Sequence, residues 1–205
     1  MTRISVAFLG LFLAAVPLRA ETITLLALGD SLTAGLGLNP ARAFPARLEA
    51  ALKAKGHDVV VMNAGVSGDT ASQGAARLDW SLTDDVDGVL VELGANDALR
   101  GLPPEQAEAA LDEILAKVKQ RNLPILLLGM KAPPNLGPDY GAKFDAIYPK
   151  LAAKYSTALY PFYLDGVAAA AKLNQADGTH PNAEGVNEIV KRLLPTVETY
   201  LSKMK

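Results

Sequence analysis

Four short stretches of this chain carry side chains able to move protons or attack an electrophile. They are Gly29-Asp30-Ser31, the run from Asn63 to Thr70 (NAGVSGDT), Gly94-Ala95-Asn96-Asp97, and Asp177-Gly178-Thr179-His180-Pro181. Ser31 closes an apolar run, and a serine after such a run is either a helix cap or a nucleophile. Its own neighbours leave both roles open. The decision turns on histidine, of which the chain has two, His57 and His180. His57 follows the end of a helical stretch in AKGHDV and reads as a solvated turn residue. His180 stands three residues after Asp177 in a glycine-containing turn. There a carboxylate can hold one ring nitrogen protonated and leave the other to take a serine proton.

A serine attacking a carbonyl also needs donors aimed at the developing oxyanion. Three are in reach of the same motifs: the N–H of Ser31 at a helix start, the N–H of Gly68, and the side-chain amide of Asn96. Asp30, Asp69 and Asp97 read as braces for these loops. Other chemistries fit less well. The chain has no cysteine, so a thiol nucleophile, disulfides and thiolate metal sites are excluded. Two histidines make a poor zinc set, no EF-hand-like loop is present, and no metal or other cofactor is expected. GDSLTAGLG lacks the Lys-Ser/Thr of a Walker loop and the full dinucleotide fingerprint. With 20 basic and 22 acidic residues, a formal net charge of -2 and no basic stripe, nucleic acid is not an expected partner.

Five apolar runs carry these motifs at their ends: Ile23 to Gly29, Asp58 to Gly65, Val86 to Gly94, Leu123 to Gly129, and a weaker one from Ser156 to Phe162. Continuous apolar runs of this length fit parallel strands covered on both faces. Helical periodicity separates them. Phe44, Leu48, Ala51 and Leu52 share one face before Gly56. Ala107, Leu111, Ile114, Leu115 and Val118 share another, after prolines at the helix start. YGAKFDAIYPKLAAKY predicts a helix interrupted or bent near Pro149, and residues 183–205 a final helix kinked before Pro195. The alternation predicts one α/β domain, a three-layer α/β/α sandwich on a mainly parallel sheet. In such folds ligands bind beyond the carboxyl ends of the strands, which is where the polar motifs lie.

The N-terminus reads separately. Arg3, the apolar run ISVAFLGLFLAAVPL and Arg19-Ala20-Glu21 have the pattern of a secretory signal peptide. The expected organisation is a signal peptide over residues 1–20, cut after Ala20, and one domain over 21–205. The expected location is the periplasm or outside the cell, without stable membrane insertion after cleavage.

With all four motifs in order, the chain resembles the GDSL, or SGNH, hydrolase family. GDSL alone is weakly specific, but four blocks at suitable spacing over most of the chain are not. The stretches FPARLEAALKAKG, MNAGVSGDT, RLDWSL, VLVELGANDALRG, PPNLGPDYG and AIYPKLA resemble the periplasmic thioesterase/lysophospholipase and arylesterase branch. The resemblance implies a flavodoxin-like fold with five parallel strands. It implies Ser31 as nucleophile, His180 and Asp177 as its partners, and Gly68 and Asn96 in the oxyanion hole with Ser31 itself. The implied activity is cofactor-free hydrolysis of small-molecule esters and thioesters: aryl esters, short to medium acyl esters, acyl thioesters and lysophospholipids. The stretch LDGVAAAAKLNQA before Asp177 is small and plain, which argues against long-chain phospholipids. Leu32, Leu36, Pro134 and Leu136 are the expected acyl-pocket residues. A carbohydrate O-deacetylase on the same fold and a non-catalytic periplasmic lipid- or peptide-binding module are the alternatives.

Overall fold

A computed structural model describes residues 22–204. The expected signal peptide lies outside the described residues. In chain order the elements are β1 (Ile23–Gly29), α1 (Ser31–Ala34), α2 (Phe44–Ala54), β2 (Val59–Gly65), α3 (Ala71–Ala76), α4 (Leu78–Ser81) and β3 (Gly88–Glu92). Then follow α5 (Ala95–Leu99), α6 (Pro104–Gln120), β4 (Ile125–Leu128), α7 (Pro138–Asp145), α8 (Ile147–Tyr155), β5 (Ala158–Tyr160) and α9 (Ala183–Ser202). The strands form one sheet in the order β2-β1-β3-β4-β5, and every pairing is parallel. The sheet is therefore wholly rather than mainly parallel.

The inner strands β1, β3 and β4 are buried apolar runs bounded by turn residues, whereas the edge strands β2 and β5 are only partly covered. Leu25, Leu26, Leu28, Leu90 and Leu126 to Leu128 are all but inaccessible. Each such side chain contributes about 1.5–3 kcal/mol by leaving water. Helices cover both faces. α2 packs with α9 on one, and α6 packs with α3 and α8 on the other. α2 presents Phe44, Leu48 and Leu52, one turn apart, to the core, and ends where Gly56 takes a φ of 87°. α6 starts on Pro104 and buries Ala107, Leu111, Ile114, Leu115 and Val118. α9 starts on Asn182, whose side chain accepts the N–H groups of Glu184 and Gly185, and runs on through Pro195 as one helix.

The helical stretch before β5 divides at Ala146, close to Pro149 as its sequence suggests. The break places Pro149 in the first turn of α8, where backbone N–H groups have no intrahelical acceptor and a missing one costs nothing. No described helix is long and apolar enough to cross a membrane.

From β1 the chain goes out to β2 on one side and returns to β3 on the other, so the crevice above β1 is the switch point of the topology. Also, β2 is an edge strand whose Val61 N–H donates to Glu49 (2.9 Å) and whose Gly65 N–H donates to Asn63 Oδ1 (2.9 Å).

Candidate active site

The carboxyl ends of β2, β1 and β3 lie side by side, with Gly29 in register with both Gly65 and Glu92. The first three motifs are gathered by that register. Asp30 caps α1: its Oδ1 accepts the Leu32 N–H at 2.9 Å. Ser31 is the first helical residue, so its N–H has no carbonyl within the helix to donate to. Only 7% of Ser31 is exposed.

His180 arrives from far along the chain. Its Nε2 stands 2.9 Å from Ser31 Oγ, and its Nδ1 stands 2.7 Å from Asp177 Oδ2. A carboxylate only accepts, so Nδ1 carries the proton and Nε2 is left to accept from the serine hydroxyl. The other oxygen of Asp177 accepts the N–H groups of Thr179 (2.9 Å) and His180 (3.0 Å). Those backbone donors, the His180 N–H foremost, and then the imidazole hold the Asp177 carboxyl down at about 2. The loop is tied back by polar contacts. Gln175 N–H donates to His180 O (2.7 Å), and Gln175 Nε2 donates to Leu36 O (2.7 Å) and Pro181 O (3.0 Å).

Gly68 takes a φ of 89°, a conformation an L side chain rarely adopts. Asn96 Nδ2 donates to Asp69 O at 2.9 Å and to Asp30 Oδ2 at 3.1 Å. Both amide hydrogens thus have acceptors, and a third acceptor is served only by sharing or displacing one of these.

Beneath the turn that carries Ser31 lies a second carboxyl. Glu92 is buried, accepts the Thr33 hydroxyl at 2.7 Å and the Asp30 N–H at 3.4 Å, and leaves Oε1 without a partner. Burial raises Asp30 to about 6, against the pull of the Leu32 N–H and of His180. Burial, and then the charge of Asp30, push Glu92 well above the carboxylate range. A Cβ on Gly29 would collide with Thr33 Oγ1 and Glu92 Oε2, so this glycine is required by close approach.

The other acidic residues of the motifs are also hydrogen-bonded. Asp97 accepts the Ala71 N–H at 2.8 Å. Asp69 Oδ2 meets Arg77 Nε at 2.6 Å, and the same guanidinium donates to Ala64 O and Gly29 O, both at 2.7 Å. Arg100 Nη2 donates to Gly68 O at 2.6 Å. Arg77, Arg100, Thr33 and Glu92 were not singled out by the sequence reading. Glu92 did leave a signal there, as the one charged residue within the buried strand β3.

The expected pocket residues are placed differently from one another. Leu32 is in the core with 7% exposed, which leaves little of it to meet a substrate. Leu36 is 45% exposed, Pro134 is exposed and Leu136 is half-buried. Exposed Val66 directly follows β2, and exposed Leu99 ends α5. His57 lies away from this group, with Nε2 3.5 Å from Glu198. Among the described residues, no three His, Cys, Asp or Glu side chains are grouped to hold a metal ion.

The family of GDSL-like lipases and acylhydrolases matches residues 27–187. Esterase TesA of Pseudomonas aeruginosa is 39% identical over 184 residues, covering 89% of this chain and 92% of that protein. The thioesterase 1/protease 1/lysophospholipase L1 of Escherichia coli is 42% identical over 193 residues, covering 91% of each. Among solved structures, AlinE4, an SGNH-hydrolase family esterase, superposes with a TM-score of 0.75 at 46% identity, covering 89% of this chain and 98% of that one.

Proposed function

The chain belongs to the GDSL-like lipase/acylhydrolase family, and from that premise we propose that Ser31, His180 and Asp177 are the triad of its hydrolytic site. The protein is a serine hydrolase acting on carboxylic esters and thioesters. One observation carries the residue roles: a single imidazole bridges Ser31 Oγ at 2.9 Å and Asp177 Oδ2 at 2.7 Å.

His180 Nε2 takes the Ser31 proton as Oγ attacks the acyl carbon, and Asp177 steadies the imidazolium that forms. The N–H groups of Ser31 and Gly68 receive the oxyanion with the Asn96 amide. Asn96 does so by turning one hydrogen from Asp30, its longer contact, toward the substrate oxygen. His180 then returns the proton to the departing alcohol or thiol. Water follows the same path in reverse and frees the acid. Phenols and thiols are good leaving groups, so aryl esters and acyl thioesters turn over most readily.

The substrates are small acyl esters with aryl, alkyl or thiol leaving groups, of short to medium acyl length. Leu36, Pro134 and Leu136 meet the acyl part. Residues 1–20 direct export and are removed, which places the enzyme in the periplasm or outside the cell.

A fluorophosphonate should label one residue, and peptide mass spectrometry should find the adduct on the Ser31 peptide. A panel of aryl esters, acyl thioesters, lysophospholipids and acetylated sugars should rank the first two highest. Absence of labelling with ester hydrolysis intact would remove Ser31 from the mechanism, and a preference for acetylated sugars would replace the substrate class. Mass spectrometry of exported protein should find Glu21 first.

A further inference from the structure

We propose that Arg77 is a positioning residue for the reaction, one guanidinium that sets the spacing between the chain segments bearing Ser31 and Gly68. The inference rests on the oxyanion roles given above and adds a residue outside all four motifs.

Arg77 sits at the junction of α3 and α4, where the chain turns between two short helices. From there its side chain reaches under the strand ends. Nη2 donates to Gly29 O, two residues before Ser31. Nη1 donates to Ala64 O, at the end of β2. Nε pairs with Asp69, the residue after Gly68. Each contact is 2.6 or 2.7 Å, short for N–H···O bonds, as expected with a charged donor. Asp69 is 7% exposed and Arg77 keeps 21% of its side chain in solvent, so the group is sheltered from competing water.

The geometry connects with the chemistry in two ways. First, the backbone donors at Ser31 and Gly68 come from different loops, and the parallel ladder ends just below them. Val66 N–H donates to Gly29 O at 3.1 Å and is the last direct backbone link between the two segments. At that same rung the planar guanidinium binds Gly29 O and Ala64 O, and it reaches past the end of the ladder to Asp69, holding three acceptors from both segments in one fixed fork. Second, Asp69 O accepts from Asn96, so Asp69 joins the third oxyanion donor to the same fork. A residue that fixes the distance among three donors acts on the transition state, where the oxyanion exists, more than on substrate binding.

Lysine cannot replace it. An ammonium is a compact point charge and cannot hold three acceptors in one plane. Removing Arg77 alone would strand the Asp69 carboxylate, so the informative variants are Arg77→Lys, which keeps the charge, and the double variant Asp69→Asn/Arg77→Gln, which removes both charges.

The test measures kcat and KM on a soluble chromogenic aryl ester, with rates expressed per fluorophosphonate-titrated site and folding checked by circular dichroism. Both variants should lose about 10- to 100-fold in kcat, the range expected when reacting groups are displaced by about 1 Å. KM should stay within about threefold, the pattern of an interaction made only in the transition state. Affinity for an alkyl boronate, which mimics the tetrahedral adduct, should fall with kcat, while affinity for the product carboxylate should not. A merely structural Arg77 would lower the melting temperature and the titrated fraction with kcat per site unchanged, and that result would overturn the proposal. So would a rise in KM at constant kcat. Ser31→Ala is assayed beside them. If it retains the wild-type rate, the triad itself fails and the positioning role with it, a result distinct from active wild type with indifferent Arg77 variants.

Discussion

The proposed nucleophile and its proposed base are held by different means. Ser31 stands on a turn packed from every side, with Asp30 and Thr33 inaccessible, Glu92 beneath and Gly29 pressed against them. His180 stands on a loop near the surface. Asp177 is 47% exposed by side chain, and Gly178, at a φ of 71°, has open space around it. The serine's place follows from the apolar sheet, because moving it means moving core. The histidine's place follows from hydrogen bonds: two from backbone to Asp177, and the Gln175 side chain to Leu36 and Pro181. One half of the site is therefore as rigid as the fold, and the other is only as rigid as a small polar network.

The sharpest way to break this contrast is at His180. A half-buried residue on a loop held by polar contacts can be lost without unfolding the domain, yet His180→Ala should cost about 10,000-fold or more in kcat/KM, as removal of a triad member does elsewhere. Stopped assays beside circular dichroism check both halves. A folded variant at near wild-type rate would end the triad assignment. Asn96→Ala should cost less, about 100- to 1,000-fold in kcat with KM little moved, the effect of losing one oxyanion donor. Steady-state kinetics separate the two parameters, and a change in KM alone would assign Asn96 to ground-state binding.

Paired glycine variants sharpen the comparison in stability. Gly29→Ala overpacks the Thr33–Glu92 contact and should destabilise by about 1–3 kcal/mol or more. Gly178→Ala meets no neighbour, so it carries only the left-handed backbone cost, about 1–2 kcal/mol. Urea titrations should rank them in that order, and activity should fall further in the first.

The smallest expected effect is in pH. Asp30, raised to about 6, keeps its proton when folded at pH values where the unfolded chain, with an ordinary value of 3.8, has released it. Its stabilising contribution is complete below the ordinary value and is lost as pH rises through about 6. Asp177, lowered to about 2, works in the opposite sense: its contribution is present above the ordinary value of 3.8 and is lost as pH falls toward 2. Solvent screening keeps the Asp177 effect small. Melting temperatures across pH should show Asp30→Asn flattening the slope between about 4 and 6, and Asp177→Asn changing the slope only between about 2 and 3.8. A common slope change in both would mean the two regions do not titrate separately.

The strands and the four motifs were legible because each announces itself locally. An apolar run ending in glycine gives a buried strand, and β1 has the bounds its residues suggest, Ile23–Gly29. The DxxH spacing similarly placed Asp177 beside His180. What stayed hidden depends on reach across the sheet. Arg77 lies in an ordinary helical stretch, and nothing in ARLDW says that its guanidinium ends at Gly29 and Ala64. Glu92 was visible as a charge inside an apolar run, but its contact with Thr33 follows only from the β1–β3 register. The interruption near Pro149 was legible because proline cannot donate to the carbonyl four residues back, here that of Asp145, and so ends the preceding helix there.

The outer side of β2 has a consequence for the protein under stress. A sheet's open margin offers unpaired N–H and C=O groups to any strand from a neighbouring molecule, and VVVMNAG, uncharged and rich in valine, is the kind of segment that stacks. Here Glu49 and Asn63 already occupy the N–H groups of Val61 and Gly65. A neighbour's strand would have to displace a carboxylate and an amide to complete its ladder along this edge. Glu49→Ala should accordingly leave turnover unchanged while the heated protein becomes turbid sooner, so that one side chain far from the chemistry governs how long the enzyme remains in solution.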